Sequence, residues 1–187
     1  MDEPVAVLRD VAVNLKELEI EYFLVGPFAT HPPQQKNLIR ITNNINIVLN
    51  LELTRAKDFL NRFVLDGYTC PSFELLYDHV KEQGSFSITH EKSKVKIKFE
   101  IRKSSDIAIS EFARKTLIDV EPEFSVYVST VEDVILKKLE FYNIAPSPQY
   151  ISDVRRLIYH NEVDQDYLNT WIDKLALSIA WERASKN

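Results

Sequence analysis

The sequence predicts a protein of the α/β (α+β) class, in which helices pack against a mixed β-sheet and a helical lobe follows at the C-terminal end. Three observations lead to this prediction. Short apolar or alternating runs typical of strands recur up to residue 128. Segments with apolar residues three or four positions apart separate them, and only this helical spacing continues beyond residue 128. We therefore assign residues 1–128 to an α/β core and residues 129–187 to a helical subdomain, together forming one compact unit.

The composition is that of an ordinary globular chain, with 187 residues, 45% hydrophobic and 27% charged. The net charge of −5 argues against general attraction to nucleic acid or to an anionic membrane, so we expect neither as a partner. Cys70 is the only cysteine, which excludes a disulfide within the chain and a Cys-rich zinc site. The sequence shows neither a secretory signal pattern nor an apolar run of about 20 residues, and we expect a cytoplasmic protein.

Helices and strands alternate in the first part of the chain. Gly26 and Pro27 end the first strand, and a proline-rich, exposed loop is predicted at 31–37. Thr54 is predicted to cap a helix that Gly67 terminates. The predicted elements are a helix at 4–19, a strand at 22–25, a strand at 45–49, a helix at 54–65 and a helix at 73–82.

A hairpin is predicted at 85–103, where the second strand alternates strictly. Its apolar face carries Val95, Ile97, Phe99 and Ile101, and its polar face carries Lys94, Lys96, Lys98, Glu100 and Arg102. A helix at 107–115 and a strand pair at 116–120 and 124–128 complete the predicted core.

Three helices are predicted in the C-terminal third. Ser129 and Glu132 have the spacing of a capping box at the start of the first helix, and Pro146 and Pro148 end it. The second helix is predicted at 150–160. The third is predicted as one continuous helix that directs Tyr167, Trp171, Leu175 and Ile179 towards the core.

Two stretches carry a resemblance to a known family. The first runs from the strand at 22–25 through Gly26 to Asn44-Ile45-Asn46, and the second is the string VSTVEDVILKKLEFY at 128–142 with the YISDVRRLIYH that follows its proline loop. In sequence order the chain resembles the nucleotidyltransferase superfamily, in particular small bacterial nucleotidyltransferase-like proteins of the abortive-infection toxin type. The resemblance implies a nucleotidyltransferase-like sheet with a C-terminal helical lobe.

The family pattern is Gly-Gly, a short helix, an Asp-x-Asp that opens a strand, and a third aspartate on a later strand. Here Pro27 stands at the second glycine, and Asn44 and Asn46 stand at the two aspartates. Lys98 matches the third position, or Glu100 does if the alignment shifts by two residues. The positions that the resemblance implies for ligand binding are Gly26, Asn44, Asn46, Lys98, Lys138 and Asp153.

These replacements change the chemistry that the resemblance implies. Nucleotidyl transfer uses divalent ions held by carboxylates, and Asn44, Asn46 and Lys98 would change the charge of the three positions from −3 to +1. An ammonium about 4 Å from a divalent ion costs roughly 8 kcal/mol at an effective dielectric constant of about 20. We therefore predict a degenerate metal motif with no catalytic residues, no metal and no cofactor, in a pocket that favours anions.

Three functions remain open on this basis. The first is a pseudoenzyme that binds a nucleotide, another phosphate ligand or a protein partner without turnover. The second is an active nucleotidyltransferase that uses Mg²⁺ with Glu100, Asp153 or another carboxylate not recognised in the sequence, as part of a toxin–antitoxin or defence system. The third is an interaction module without a ligand. Each candidate group also has a purely structural explanation. Asn44 and Asn46 would then be ordinary polar residues at the start of a strand, the lysines at 92–98 a solvated strand face, and Lys138 and Asp153 an ion pair between helices.

Overall fold

The computed structural model describes residues 3–26 and 44–186, so Pro27 and the predicted loop at 31–37 lie outside the described residues. The described residues form a seven-stranded sheet and eight α-helices. The strands are β1 (Tyr22–Val25), β2 (Asn44–Leu49), β3 (Tyr68–Thr69), β4 (Ser85–His90), β5 (Lys96–Ile101), β6 (Thr116–Glu121) and β7 (Phe124–Val128). The helices are α1 (Glu3–Glu17), α2 (Ala56–Leu65), α3 (Phe73–Lys81), α4 (Asp106–Arg114), α5 (Val131–Ile144), α6 (Pro148–His160), α7 (Gln165–Lys174) and α8 (Ser178–Ser185).

The sheet is mixed, as the sequence predicted, with the strand order β3-β4-β5-β2-β1-β7-β6. β2 pairs with β5 and β1 pairs with β7 in parallel, while the other neighbours are antiparallel. In the β2–β5 register Asn46 lies beside Lys98. The prediction that these two strands are neighbours is therefore confirmed.

The two faces of the central strands have different surroundings. Ile45, Ile47 and Leu49 of β2 are fully buried in a cluster that also contains residues of α1, α2 and α3. Strand side chains alternate between faces, so the residues between them, such as Asn46, lie on the opposite face. That face opens into a cleft, and the sheet is thus packed by helices on one side and carries a cavity on the other.

A second apolar cluster lies among α5, α6, α7 and α8. Helix α4 joins it to the sheet: Phe112 contacts Phe23 of β1 with ring centroids 5.5 Å apart, and Ile107 packs against the second cluster. The Ser110 and Tyr167 hydroxyls lie 3.1 Å apart and connect α4 to α7. Helix α4 comes before the predicted boundary at residue 128, yet it contacts the helical lobe directly.

Two predicted helix caps differ from the structure. Thr54 lies in a 3₁₀ turn (Leu53–Arg55) that precedes α2, and its hydroxyl donates to Glu52 Oε2 at 3.5 Å. The predicted capping box at Ser129 is wrong by one residue: Thr130 caps α5 and accepts a hydrogen bond from the Asp133 N–H at 3.3 Å. The reason is that Ser129, directly after β7, is held beside β1, where its N–H donates to the Leu24 carbonyl at 3.2 Å.

The predicted third tail helix is two helices. Ala176 has a φ of +53°, and its N–H and that of Leu177 donate to the carbonyls of Asp173 and Ile172, which is the Schellman ending of a helix. Because the chain turns there, Ile179 is 71% exposed and does not face the core as predicted. No helix among residues 3–26 and 44–186 is long and apolar enough to cross a lipid bilayer.

Candidate functional site

A cleft of about 1020 Å³ lies between the polar face of the central strands and helices α4, α5 and α6. Its volume is at the upper end of the range usual for small-molecule sites, about 300–1000 Å³. Five of the six predicted ligand-binding positions line it: Gly26, Asn46, Lys98, Lys138 and Asp153. Asn44 is exposed at the start of β2, opposite Lys96, and is not among the lining residues.

The sheet side of the cleft is built from Gly26, Asn46 and Lys98. Gly26 follows β1 with a φ of +90°, a backbone conformation that favours glycine. A Cβ added there would lie 3.6 Å from Asn46 Nδ2, so the amide group of Asn46 is next to the glycine backbone. The three residues thus place the Asn46 amide, the Lys98 ammonium and the Gly26 backbone on one wall.

Lys98 is paired within the site. Its Nζ donates to Glu100 Oε1 at 2.8 Å, and the two side chains are 46% and 42% exposed. Lys98 and Glu100 are two residues apart on one strand, so both face the cleft whichever of them is aligned with the family's third aspartate. Only Lys98 lies beside Asn46, since Glu100 pairs with Val48. The positive charge expected at this position is therefore offset by an adjacent carboxylate.

Lys138 and Asp153 form the ion pair that the sequence left as an alternative. Lys138 Nζ of α5 lies 2.7 Å from Asp153 Oδ2 of α6, and Gln149 donates to Asp153 Oδ1 at 2.9 Å. Burial raises the pKa of the Asp153 carboxyl, but the hydrogen bonds from Lys138 and Gln149 outweigh it, and the pKa lies below its ordinary value. The pair joins the two helices that form one wall of the cleft.

Three acidic side chains of the cleft, Glu111, Asp133 and Glu140, were not identified from the sequence. Burial raises the pKa of the Glu111 carboxyl on α4 to about 7, and the nearby carboxylates of Asp133, Glu140 and Glu100 add to this while Lys137 opposes it. Burial also raises the pKa of Asp133, although Thr130 and Tyr167 donate to its oxygens at 2.6 and 2.7 Å. Nothing in the sequence around Glu111 marks it, because only the docking of α4 brings it into the cleft.

The charged lining is mixed. Among the described residues, six basic and five acidic side chains line the cleft: Lys98, Arg102, Lys103, Lys137, Lys138 and Arg156, and Glu100, Glu111, Asp133, Glu140 and Asp153. Residues 3–26 and 44–186 contain no group of three or more His, Cys, Asp or Glu side chains that could hold a metal ion. On the β2–β5 wall the polar side chains are the Asn46 amide, the Lys98 ammonium and the Glu100 carboxylate.

No protein-family model matches the chain, and no curated protein matches its sequence. Solved structures do resemble the fold. The antibiotic-resistance factor ANT(2'')-Ia aligns with a TM-score of 0.58 and 10% identity over 97% of each chain. An antigenic nucleotidyltransferase-like protein from Paracoccidioides brasiliensis aligns with a TM-score of 0.56 and 18% identity, over 100% of this chain and 95% of that one. The predicted nucleotidyltransferase-like fold is thus confirmed.

Proposed function

We propose that this protein is a pseudoenzyme of nucleotidyltransferase-like fold that binds a nucleotide or another phosphate ligand in its cleft without turnover. The observation that carries the proposal is the juxtaposition of Asn46 and Lys98 on adjacent parallel strands beside Gly26. By the family resemblance, these are the positions at which carboxylates would hold the metal ion. Here they offer an amide nitrogen and an ammonium, which donate hydrogen bonds to phosphate oxygens.

The opposite wall supports an anionic ligand as well. Helices α5 and α6 contribute Lys137, Lys138 and Arg156, so cations flank the cleft on both sides. Part of this charge is compensated, since Lys138 and Arg156 lie within 2.7 and 3.5 Å of Asp153 oxygens. We therefore expect weak rather than tight binding, driven by a few charge-assisted hydrogen bonds.

The first test compares nucleoside triphosphates with and without Mg²⁺ in thermal unfolding. At a ligand concentration about tenfold above Kd, the Tm should rise by about 3–6 °C without Mg²⁺, because a ligand bound only to the folded state stabilises it. Lys98→Ala should weaken the affinity about tenfold, the usual contribution of a charge-assisted hydrogen bond. Lys96→Ala is the matched control, since Lys96 is exposed on the same strand outside the cleft lining.

Equal titration curves for Lys98→Ala and the wild type would contradict the proposal, as would binding that requires Mg²⁺. Lys92→Ala gives a second control, because Lys92 is exposed in the turn between β4 and β5. It should bind as the wild type does.

A second test removes the Glu100 carboxylate, whose negative charge offsets the positive charge of Lys98. Glu100→Gln should bind triphosphate about fivefold more tightly at low salt, because a negative charge about 4 Å from a phosphate costs roughly 1 kcal/mol even in water. Calorimetric titration measures the affinity. The double variant Lys98→Ala, Glu100→Gln should lose most of this gain. A weaker affinity in Glu100→Gln would show that the carboxylate serves the ligand instead.

An active nucleotidyltransferase is the second candidate function. It is favoured by Glu100 and Asp153, the two carboxylates that the sequence offered for metal chemistry, which both line the cleft. Mg²⁺-dependent transfer of a labelled nucleotide to any acceptor, abolished by Glu100→Ala, would establish it. The setting proposed for such an activity is a toxin–antitoxin or defence system. Absence of both binding and transfer would leave the ligand-free interaction module.

A further inference from the structure

We infer that a partner protein docks an amphipathic helix with basic flanks on the seam between α2 and α3. The seam consists of Leu53, Leu60 and Val64 on the α2 side and of Phe73 and Tyr77 on the α3 side. The inference goes beyond the proposed function, because the seam lies on the helix-covered face of the sheet and none of its residues lines the cleft. Among the described residues, 14 large hydrophobic side chains are exposed, and six of them lie at 53–77. Apolar surface concentrated in this way marks an interaction site.

The α2 side of the seam is a row of aliphatic side chains at helical spacing. Leu60 and Val64 are four residues apart, and each stands one position after a fully buried phenylalanine, Phe59 or Phe63. Leu53, in the 3₁₀ turn that precedes α2, lies seven residues before Leu60 and continues the row. Leu60 packs partly against the core, while Val64 is 54% and Leu53 38% exposed. The row therefore borders the core along one side of α2.

The α3 side of the seam is aromatic. Phe73 and Tyr77 are four residues apart, their ring centroids lie 6.1 Å from each other, and the side chains are 38% and 39% exposed. Tyr77 stands one position after the fully buried Leu76, so this row also borders the core. Half-exposed aromatic rings are the side chains that supply much of the binding energy at protein interfaces.

The two rows face each other. Helix α2 leads from β2 to β3 and α3 leads from β3 to β4, so the helices lie side by side and run in opposite directions. Both belong to the connection between the parallel strands β2 and β5, and connections of this kind are right-handed. With this hand, the position after the buried row lies on the side of each helix that is turned to the other helix. The seam is thus an apolar furrow about 15 Å long, the length of the ten residues of α2.

A furrow between two antiparallel helices fits a third helix, which lays its apolar stripe against both rows. The charges beside the furrow indicate which helix it is. The exposed charged residues at 57–82 that form no ion pair with any described residue are four carboxylates and two lysines: Asp58, Glu74, Asp78, Glu82, Lys57 and Lys81.

This group has a net charge of −2, and its acidic part is ordered. Glu74 and Asp78 each stand one position after an aromatic residue of the seam, and Glu82 continues their row. A helix with lysine or arginine beside its apolar stripe would pair with this row. A second copy of the chain would instead bring surfaces of like net charge together, which opposes association.

The test measures binding of a fluorescent amphipathic helix by anisotropy. The probe is a synthetic peptide of leucine and lysine, about 15 residues long so that it forms a helix, and its counterpart has glutamate in place of lysine. The wild type should bind the leucine–lysine peptide about tenfold more tightly than the counterpart, because only the lysines pair with the acidic row. Tyr77→Ala should weaken this binding about tenfold, the usual effect of truncating a central aromatic side chain. Val64→Ser should weaken it as well, at a half-exposed position where the fold tolerates the change.

Two matched controls lie outside the seam. Tyr159→Ala should bind as the wild type does, since Tyr159 is an 84% exposed tyrosine on α6. Glu74→Lys should weaken binding of the leucine–lysine peptide about threefold at low salt. Glu162→Lys makes the same change in net charge at an exposed position after α6 and should have a smaller effect.

Equal affinities of Tyr77→Ala and Tyr159→Ala for the leucine–lysine peptide would overturn the inference, as would equal affinities of the wild type for the two peptides. Analytical sedimentation of the protein alone tests for a second copy. A monomer is expected, and a dimer that Tyr77→Ala dissociates would overturn the inference by showing that another copy of the chain fills the seam.

Discussion

Phe59→Ala is expected to lower the free energy of unfolding by about 3–5 kcal/mol, the usual cost of truncating a buried phenylalanine. Phe59 of α2 is fully buried, and its ring centroid lies 4.5 Å from that of Phe63, 5.7 Å from Phe86 and 5.4 Å from Phe99. Because three aromatic rings surround Phe59, we expect no small rearrangement to fill the cavity that its truncation leaves. The loss is a large fraction of the 5–15 kcal/mol that stabilises a typical domain.

Urea unfolding followed by circular dichroism measures this change. Leu65→Ala is the control on the same helix, because Leu65 is 83% exposed and its truncation should change stability by less than about 0.5 kcal/mol. A loss below 1 kcal/mol for Phe59→Ala would show that the aromatic cluster does not hold α2 on the sheet. The cluster matters for the site because Phe99 and Lys98 lie on opposite faces of one strand.

The strand pattern was sufficient to predict how β2 and β5 present their side chains. Strict alternation along β5 separates the buried Ile97 and Phe99 from the exposed Lys96 and Lys98, and the structure shows this separation. Alternation depends only on the two-residue period of a strand, so it is the same whatever the strand packs against. The family resemblance then supplied the partner strand, and Asn46 lies beside Lys98 as expected.

Features that depend on tertiary contacts were not predictable in this way. Helix α7 ends at Lys174, and the chain turns two residues later at Ala176, which has a positive φ. No glycine or proline stands there, so the local sequence does not predict the end of the helix. The N-cap of α5 is Thr130 and not the predicted Ser129, because Ser129 is hydrogen-bonded to the Leu24 carbonyl of β1, more than 100 positions away in sequence. Serine and threonine are both favourable N-cap residues, so only the hydrogen bond from Ser129 to β1 decides which of the two caps α5.

The charge balance of the cleft is the largest difference between sequence and structure. Counting Asn44, Asn46 and Lys98 alone predicted a positive pocket. The structure adds Glu111 from α4 and Asp133 from α5, and it pairs Lys98 with Glu100. Carboxylates that meet in space from separate helices leave no spacing pattern in the sequence, so this acidic part of the lining could be found only from the fold.

Glu111→Gln is expected to stabilise the protein at neutral and alkaline pH. Burial raises the pKa of Glu111 from its ordinary value of 4.5 to about 7. Between these values the folded protein binds a proton that the unfolded chain has released, so Glu111 makes the free energy of unfolding fall as pH rises through that window. Above pH 7 the full cost of the buried carboxylate is present, up to about 3 kcal/mol for a shift of this size.

The variant replaces the titrating carboxyl with a neutral amide of similar shape and should remove this pH dependence. Its stability should match that of the wild type near pH 4.5, exceed it progressively up to pH 7, and remain higher by a constant amount beyond that. Urea unfolding at half-unit pH intervals gives both curves, with Glu74→Gln as control because Glu74 is exposed on α3. Parallel curves for Glu111→Gln and the wild type would mean that the carboxyl stays solvated in the cleft.

Ligand binding should follow the same titration. A protonated Glu111 removes one negative charge from the acidic part of the cleft, where Asp133, Glu140 and Glu100 lie nearby. At pH 8 Glu111→Gln should therefore bind tripolyphosphate more tightly than the wild type, and at pH 6 the two affinities should be closer, a comparison at equal pH in which the charge of the ligand is the same. Loss of affinity in Glu111→Gln at both pH values would instead identify the carboxylate as a group that the ligand needs.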